Sequence, residues 1–555
     1  MPKITKAAKQ AAVLFSDEQL AAVNAGEGYW SVQASPGSGK TSVLVGRVRR
    51  LLETENPEDV LSLTFTKEAA KEMRDRAGLE EDTSKRPFGF RTFHSLALAF
   101  AVRESRMFDP PLANFPLNLE SGPMILEAVK YHRIKSYKDF ASWMSTQRRQ
   151  RISPQKCLAS AKTQAEINYA QAYRDYELAC WSKGILDFDG LLVAMVNLLE
   201  NNEEVRARWQ YKWVLADEFQ DSDPLNVRTL QLLSERHHNV FVVGDPLQSI
   251  YQFRGSSPEI FMNLGRYFEG AKTLYLSTNY RSTPQIVDFV KEIAPIKTEL
   301  VKRFAAFNES GPAVKMTPFP CREDEADAIL ADVKGVYFID MWGTMADKHF
   351  SGAVLARTNR ELRIFQDLFY RAGVRYHLLK GNGFWEQNEI KKVLEFIPRY
   401  SSTTPQQAVH MAITDLRLRE RAQNFKEIDN SPLENLDELE RVAAKYKTVA
   451  ELLEHARKAT AASKGKKGVA LGSSHSSKGL QWEFVWCHNV AEGSYPHKNA
   501  DTIDEEGRLF YVAASRAARR LWVSWSGMPS RFLASVAKPE GAELLLGEKR
   551  KESAQ

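Results

Sequence analysis

Ala34, Ser35, Pro36, Gly37, Ser38, Gly39, Lys40 and Thr41 read "ASPGSGKT" directly after the apolar run "YWSVQ". Glycines at 37 and 39 let backbone amides approach phosphate oxygens, and a helix starting near Lys40 would offer its N-terminus to the same anion. Lys40 would neutralise β- and γ-phosphates and Thr41 would ligate magnesium, so the stretch fits a phosphate-binding loop with Ala34 at its first glycine position. The alternative is a glycine turn that merely precedes a helix. A second stretch, "VLADEFQD", closes an apolar strand with two adjacent carboxylates. Asp217 would hold magnesium, mainly through water, while Glu218 would orient and deprotonate a water attacking a γ-phosphate. A solvated acidic turn is the competing reading. A third, "VVGDPLQSIYQFRG" at 242–255, crowds Asp245, Gln248, Tyr251, Phe253 and Arg254 behind a buried strand. A loop that meets a phosphate on one side and a flat ring on the other needs that mixture.

These groups must be positioned by strands. Short apolar runs ending in polar residues recur: "YWSVQAS", "DVLSLTFT", "KWVLADE", "NVFVVGD", then "GAVLARTN", "GVALGSSH", "EFVWCHNV" and "RLWVSWS". Such runs read as buried parallel strands, with chemistry beyond their carboxyl ends, and two sets predict two sheets. Residues from about 95 to 206 and 401 to 464 carry apolar positions three and four apart and predict helical insertions.

With 555 residues the chain exceeds one core. Its 43% hydrophobic and 26% charged residues exclude a disordered or membrane-resident class. No apolar run is long enough to span a bilayer, and the N-terminus lacks the pattern of a cleaved leader. Cys157, Cys180, Cys321 and Cys487 are too far apart for a metal knuckle and read as core thiols of a reducing compartment. The net charge of +6 decides nothing, and the basic runs "RRQR" (148–151) and "KGKK" (464–467) could meet phosphates or simply be exposed loops. No repeat of solenoid period is present, and "GEKRKESAQ" reads as a frayed tail.

Taken in order, the motifs resemble those of the UvrD, Rep and PcrA group of superfamily-one DNA helicases over roughly 15 to 530. "FSDEQLAAV" resembles the adenine-reading segment with Gln19, and "TFTKEAAKEM" and "RTFHSLA" resemble strand-contacting loops. "LDFDGLL" resembles a short acidic signature ahead of the DEFQD strand, and "GDPLQSIYQFRG", "LSTNYRS", "SSHSSKGLQW", "SYPH" and "EEGRLFYVAASRA" follow. The resemblance implies an α/β fold of two RecA-like parallel-sheet motor domains with helical insertions. It makes Gln248 a γ-phosphate sensor, places Arg254, Arg281 and Arg516 around the same phosphate with Arg516 as arginine finger, and stacks Tyr280 on adenine. It makes Phe65, Thr92, His94, Tyr251, Phe253, Asn359, His475 and His497 contacts to single-stranded DNA, where flat rings grip any base. For any one aromatic, core packing is the alternative. Cofactors are ATP and Mg2+.

Several positions depart from the family pattern. Gln481 stands where glutamate usually faces the ribose, Ser42 where arginine often lies near the base, Ser515 where threonine is common, and Phe253 where tryptophan is frequent. The stretch between "QNEIKKVLEFI" and "GVALGSSHSSKGL" is shorter than the mobile subdomain of large relatives, which puts duplex handling in question more than translocation. The expected layout is a first motor of 1–94 and 207–280 with an insertion at 95–206, a second motor of 281–400 and 465–540 with a reduced insertion at 401–464, and a tail at 541–555. The reading is an ATP-dependent DNA helicase moving 3′ to 5′ on single strands and acting at single/double-strand junctions. It would be cytoplasmic, either nucleoid-associated or in a host cytoplasm if a mobile element encodes it, with no membrane partner. No nuclease-like block follows residue 530, which argues against a helicase-nuclease fusion and leaves a separate nuclease, or a repair or replication factor, as a candidate partner. The alternative is a translocase that displaces proteins with little unwinding. A non-enzymatic, nucleotide-gated binding module would need neither Glu218 nor Arg516.

Overall fold

The computed structural model describes residues 15–79, 87–108, 111–112, 122–252, 255–342, 351–380, 383–423, 431–463, 468–500 and 502–536. They form two units, one of residues up to Tyr280 with Ile296–Ala306, the other of Arg281–Pro295 with residues from Phe307 onward.

The first unit holds β1 (Tyr29–Ala34), β2 (Val60–Thr64), β3 (Gly89–Thr92), β4 (Trp213–Ala216), β5 (Val240–Gly244) and β6 (Lys272–Leu276), all parallel in the order β3-β2-β4-β5-β1-β6. Successive side chains of a strand point to opposite faces, so each central strand feeds two cores. Val60, Trp213, Leu215, Phe241 and Val243 meet Val43, Leu44 and Val48 of the helix Lys40–Leu51 on one face. Leu61, Leu63, Val214, Ala216, Val240 and Val242 meet the helices Phe93–Arg103 and Phe188–Asn201 on the other. These two helices, although inside the stretch read as an insertion, pack on the sheet. Helices between Gly122 and Ser182 build a separate core around Phe140, Met144, Tyr173 and Tyr176. A two-residue pair, β7 (Thr278–Asn279) with β8 (Ala305–Ala306), completes the unit.

The second unit holds β9 (Lys315–Phe319), β10 (Gly352–Ala356), β11 (Tyr376–Leu378), β12 (Val469–Ser473), β13 (Trp482–Cys487) and β14 (Ala517–Ser526), again all parallel, in the order β11-β12-β10-β13-β14-β9. A helical core runs from Phe384 through Ile390, Leu436 and Leu452 to Ala459, so it begins ahead of the stretch read as the reduced insertion. Both sheets are of the α/β type expected from the sequence. The tail at 541–555 lies outside the described residues.

Candidate active site and nucleic-acid interface

In the six-stranded sheet of the first unit every strand runs the same way, so the carboxyl ends of β1, β4 and β5 lie side by side and bring three separate motifs to one edge. The loop after β1 turns through Gly37 (φ 71°) and Gly39 (φ 82°), left-handed conformations that glycine adopts without a Cβ penalty. Gly39 has a second reason: a Cβ there would lie 2.7 Å from Gln19 Nε2. The loop is braced by Ser38 Oγ donating to Ser35 O at 2.7 Å and Ser35 N donating to Leu276 O at 2.8 Å. Tyr280 N donates to Gly37 O at 3.0 Å, which sets Tyr280 beside the loop.

Gln19 is buried in the helix Asp17–Val23, and its Nε2 donates to Ser38 O at 2.9 Å. Its neighbour Glu18 accepts from Ser277 N at 2.8 Å and Ser277 Oγ at 2.5 Å. The first helix is therefore tied to the phosphate loop at Ser38 and to the chain just after β6 at Ser277. Sequence reasoning singled out Gln19 and missed Glu18. Ala34 and Ser35 are buried at the end of β1, Pro36 is buried, and Ser42 lies half-buried in the first turn after Lys40 and Thr41.

After β4, Asp217 is buried and its N–H donates to Leu63 O at 2.8 Å. Glu218 takes φ 51°, a left-handed conformation costing about 1–2 kcal/mol for a residue with a Cβ. That turn redirects its carboxylate, which accepts from Gln220 Nε2. Gln220 is fully buried, and its Oε1 accepts from Asp245 N at 3.0 Å, so one amide joins the end of β4 to the end of β5. Gly244 leaves the space, because a Cβ there would collide with Gln220 Oε1. Asp245 is fully buried, with Oδ1 accepting from Leu247 N at 3.0 Å and Oδ2 from Gln248 Nε2 at 2.8 Å. Burial pushes its carboxyl up, and the Lys40 charge pulls it back in part. Gln220 and Asp245 were given no role from sequence, although Gln220 stands two residues after Glu218 in the quoted motif.

The set fits a nucleoside triphosphate with magnesium: a loop with two left-handed glycines, a helix opening at Lys40, a hydroxyl at Thr41 and two carboxylates just after β4, which is separated from β1 by β5 alone. Among the described residues no cluster of three or more His, Cys, Asp or Glu side chains could hold a metal on its own.

The residues assigned to DNA by resemblance follow the same edge in this unit. Phe65, 36% exposed, follows β2 and leans on Phe93 with ring centroids 5.4 Å apart. Thr92 ends β3, is buried, and caps the next helix by accepting from Ser95 N at 3.0 Å. His94 stacks on Phe188 at 3.8 Å, and burial holds its imidazole down at about 4. Tyr251 is half-buried in the loop after β5, whereas Phe253 and Arg254 lie outside the described residues.

In the second unit the two assigned groups occupy opposite ends of the sheet. Gln481 and Arg516 immediately precede β13 and β14. Arg281 Nε donates to Gln481 Oε1 at 2.7 Å and its Nη1 to Ser515 O at 3.1 Å. Buried Arg516 donates to Val512 O and Ser515 Oγ, each at 2.9 Å. Asn359, exposed, and His475, half-buried, instead follow β10 and β12 at the carboxyl ends. His497 N donates to Glu506 Oε2 at 2.9 Å, and burial together with Arg357 lowers its imidazole.

The run read as a basic patch is spent internally. Arg148 is 5% exposed and donates to Asp187 Oδ2 and Glu177 Oε1, both at 2.7 Å. Arg149 donates to Asp189 Oδ1 at 3.2 Å, and Arg151 lies on Glu200 at 2.7 Å. The run at 464–467 lies outside the described residues. All four cysteines are free thiols.

A phosphate loop and acidic strand end in the first unit, with a second parallel sheet carrying arginines, define a P-loop NTPase built from RecA-like motor domains. Within that class the chain belongs to the UvrD/REP helicase family. Residues 15–269 match the UvrD/REP helicase N-terminal domain, and residues 274–409 and 401–527 match the UvrD-like helicase C-terminal domain. The chain is similar to ATP-dependent DNA helicase UvrD2 of Mycobacterium tuberculosis, at 28% identity over 96% of this chain and 83% of that protein. It is also similar to a probable DNA helicase II homolog of Mycoplasma capricolum (26%, covering 95% and 86%) and to ATP-dependent DNA helicase PcrA of Staphylococcus epidermidis (25%, covering 94% and 86%).

Proposed function

We propose that this chain is an ATP-dependent DNA helicase that moves 3′ to 5′ along single-stranded DNA and couples hydrolysis to opening of duplex at single/double-strand junctions. The observation that carries the reading is the single hydrogen-bonded network from Glu218 through Gln220 to Asp245 and Gln248, on the edge that also bears Lys40, Phe65 and Tyr251. Family membership supports the reaction class.

Lys40 holds the triphosphate, and Thr41 with Asp217 would hold Mg2+, which supplies charge neutralisation on the phosphates. Glu218, turned out of the strand line, orients the attacking water and takes its proton. Gln248, pinned by Asp245, senses the γ-phosphate and hands its position to Tyr251 three residues on. Arg281, Arg516 and Arg254 are proposed as the cations that meet the γ-phosphate, with Tyr280 and Gln19 on adenine. The site of action is cytoplasmic, with a nuclease or other repair or replication factor as a separate partner. No helix among the described residues is long and apolar enough to cross a membrane.

The test is strand displacement on duplexes carrying either a 3′ or a 5′ single-stranded tail, with ATP. Unwinding of the 3′-tailed substrate alone is expected. Unwinding from the 5′ tail refutes the polarity. DNA-stimulated hydrolysis without displacement on either substrate favours the translocase, a reading supported by the short helical core between Phe384 and Ala459.

A further inference from the structure

The sequence "RRQR" at 148–151 belongs neither to the nucleotide site nor to the strand-contacting residues, and its side chains fan out to four places. Arg148 lies on Asp187 and Glu177. Arg149, at the end of the helix Tyr137–Arg149, donates to Asp189 at 3.2 Å on one side and stands 3.7 Å from Asp223 on the other. Gln150 Nε2 donates to Gly255 O at 2.9 Å. Arg151 grips both oxygens of Glu200, which also accepts from Arg228 Nε at 2.6 Å.

Two of these targets sit on the loops that carry the proposed chemistry. Asp223 is five residues after Glu218 and caps the helix Pro224–Ser234. Gly255 is seven residues after Gln248 and takes φ 87°. The two loops are joined behind the site, since Ser257 N donates to Ser222 O at 3.1 Å. A neutral amide and one guanidinium thus connect the helical insertion to the tails of both catalytic loops. A loop whose far end is fixed holds its near end in register, and small displacements of a reacting group cost large factors in rate.

We infer that Arg149 and Gln150 are positioning residues for DNA-stimulated hydrolysis, transmitting the placement of the insertion helix to the loops that bear Glu218 and Gln248. The inference rests on the proposed ATPase. Gln150 does its part as a donor to a carbonyl, and that requirement separates it from simple packing.

The experiment uses the full chain with Gln150→Glu and Gln150→Lys, measuring melting temperature, ATP turnover without DNA, and turnover against a single-stranded DNA titration. Glutamate keeps the shape but presents only acceptors to Gly255 O at neutral pH, whereas lysine keeps a donor. Gln150→Glu is expected to keep turnover without DNA within twofold and to lose about tenfold in DNA-stimulated kcat, with the KM for ATP unchanged. Gln150→Lys is expected to stay within twofold of the unsubstituted chain in all three. Full stimulation in Gln150→Glu overturns the inference. So does equal loss in both variants, or a fall in melting temperature that lowers basal and stimulated turnover together. If the unsubstituted chain itself shows no DNA-stimulated hydrolysis, the proposed function fails before the variants are compared.

Discussion

His94 and Asp223 line one cavity of about 30 Å³ together with Arg149 and Asp189, and burial moves their protons in opposite directions. The His94 imidazole is held down at about 4 against 6.5 in water, so the unfolded chain accepts a proton that the folded chain refuses. Its contribution to stability is intact above 6.5 and is lost as pH falls, by about 3 kcal/mol at pH 4. The Asp223 carboxyl is held up at about 6 against 3.8, so ionising it in the fold costs about 3 kcal/mol at pH 7. Roughly 2.5 kcal/mol of that cost disappears on descending to pH 4, because the folded chain takes up this proton first. Over the window from pH 7 to 4 the two effects oppose each other and nearly cancel.

Single substitutions should expose each half. His94→Gln removes the acid loss, so its stability relative to the parent rises by about 3 kcal/mol from pH 7 to pH 4. Asp223→Asn keeps an oxygen for Asn226 N, which the carboxylate now holds at 2.8 Å, and its relative stability falls by about 2.5 kcal/mol over the same descent. Thermal unfolding followed by circular dichroism at each pH reads both, since about 1 kcal/mol moves a unit of this size by roughly 2 °C. Shifts of about 5 °C in opposite directions are expected, with the double variant running parallel to the parent. Curves for both single variants that run parallel to the parent, or shifts of the same sign, refute the assignment of opposed protons to this cavity.

Lys40→Ala should abolish ATP hydrolysis while fluorescence anisotropy still reports binding of a single-stranded oligonucleotide; retained turnover would remove Lys40 from the phosphate site. Glu218→Gln should bind ATP normally and lose turnover, and an equal fall in both, measured by equilibrium binding and phosphate release, would end its role as base. Gly39→Ala should weaken nucleotide affinity and cost at least about 1–2 kcal/mol, because the new Cβ meets both a left-handed backbone and Gln19 Nε2; chemical denaturation checks the second part. Asp187→Ala should destabilise the first unit by about 3–5 kcal/mol, since it strips buried Arg148 of a partner and also removes the acceptor for Tyr176 Oη and Gly190 N. A melting temperature within a degree of the parent would contradict it.

The fold was legible where strands are covered on both faces. All eight apolar runs picked out by pattern are strands, and they occupy the inner four positions of each six-stranded sheet. Within these two sheets the four strands that pattern did not reveal, β3, β6, β9 and β11, are the edges, and it also passed over the two-residue pair β7 and β8. Edge strands are covered less completely, so their residues need not be continuously apolar: Lys272 and Thr273 of β6 and Lys315 of β9 are exposed. The insertions were harder to bound, because a helix that packs on a sheet and one that packs on other helices carry the same spacing. Phe93–Arg103 and Gly122–Tyr131 are both apolar on one side, and only the tertiary fold sends the first to the sheet and the second to a core of its own.

For the site, the sequence reading looked for chemistry at the ends of β1, β4 and β5, and the parallel sheet brings those three ends to one edge. It could not say how the loops are held to one another. The tie from Glu218 to Asp245 runs through Gln220, and the tie from the insertion to the loop after Gln248 runs through Gln150. Both are uncharged amides whose partners are 25 and 105 residues away, and an amide counts for little in any reading by charge or hydropathy. The arginines beside Gln150 drew notice as a basic run, yet each is matched to a carboxylate contributed by another helix or loop. A cluster of like charges in sequence therefore measures only half of an electrostatic pair. Where the other half is buried against it, the uncharged neighbour is the residue left to make the contact that links one loop to another.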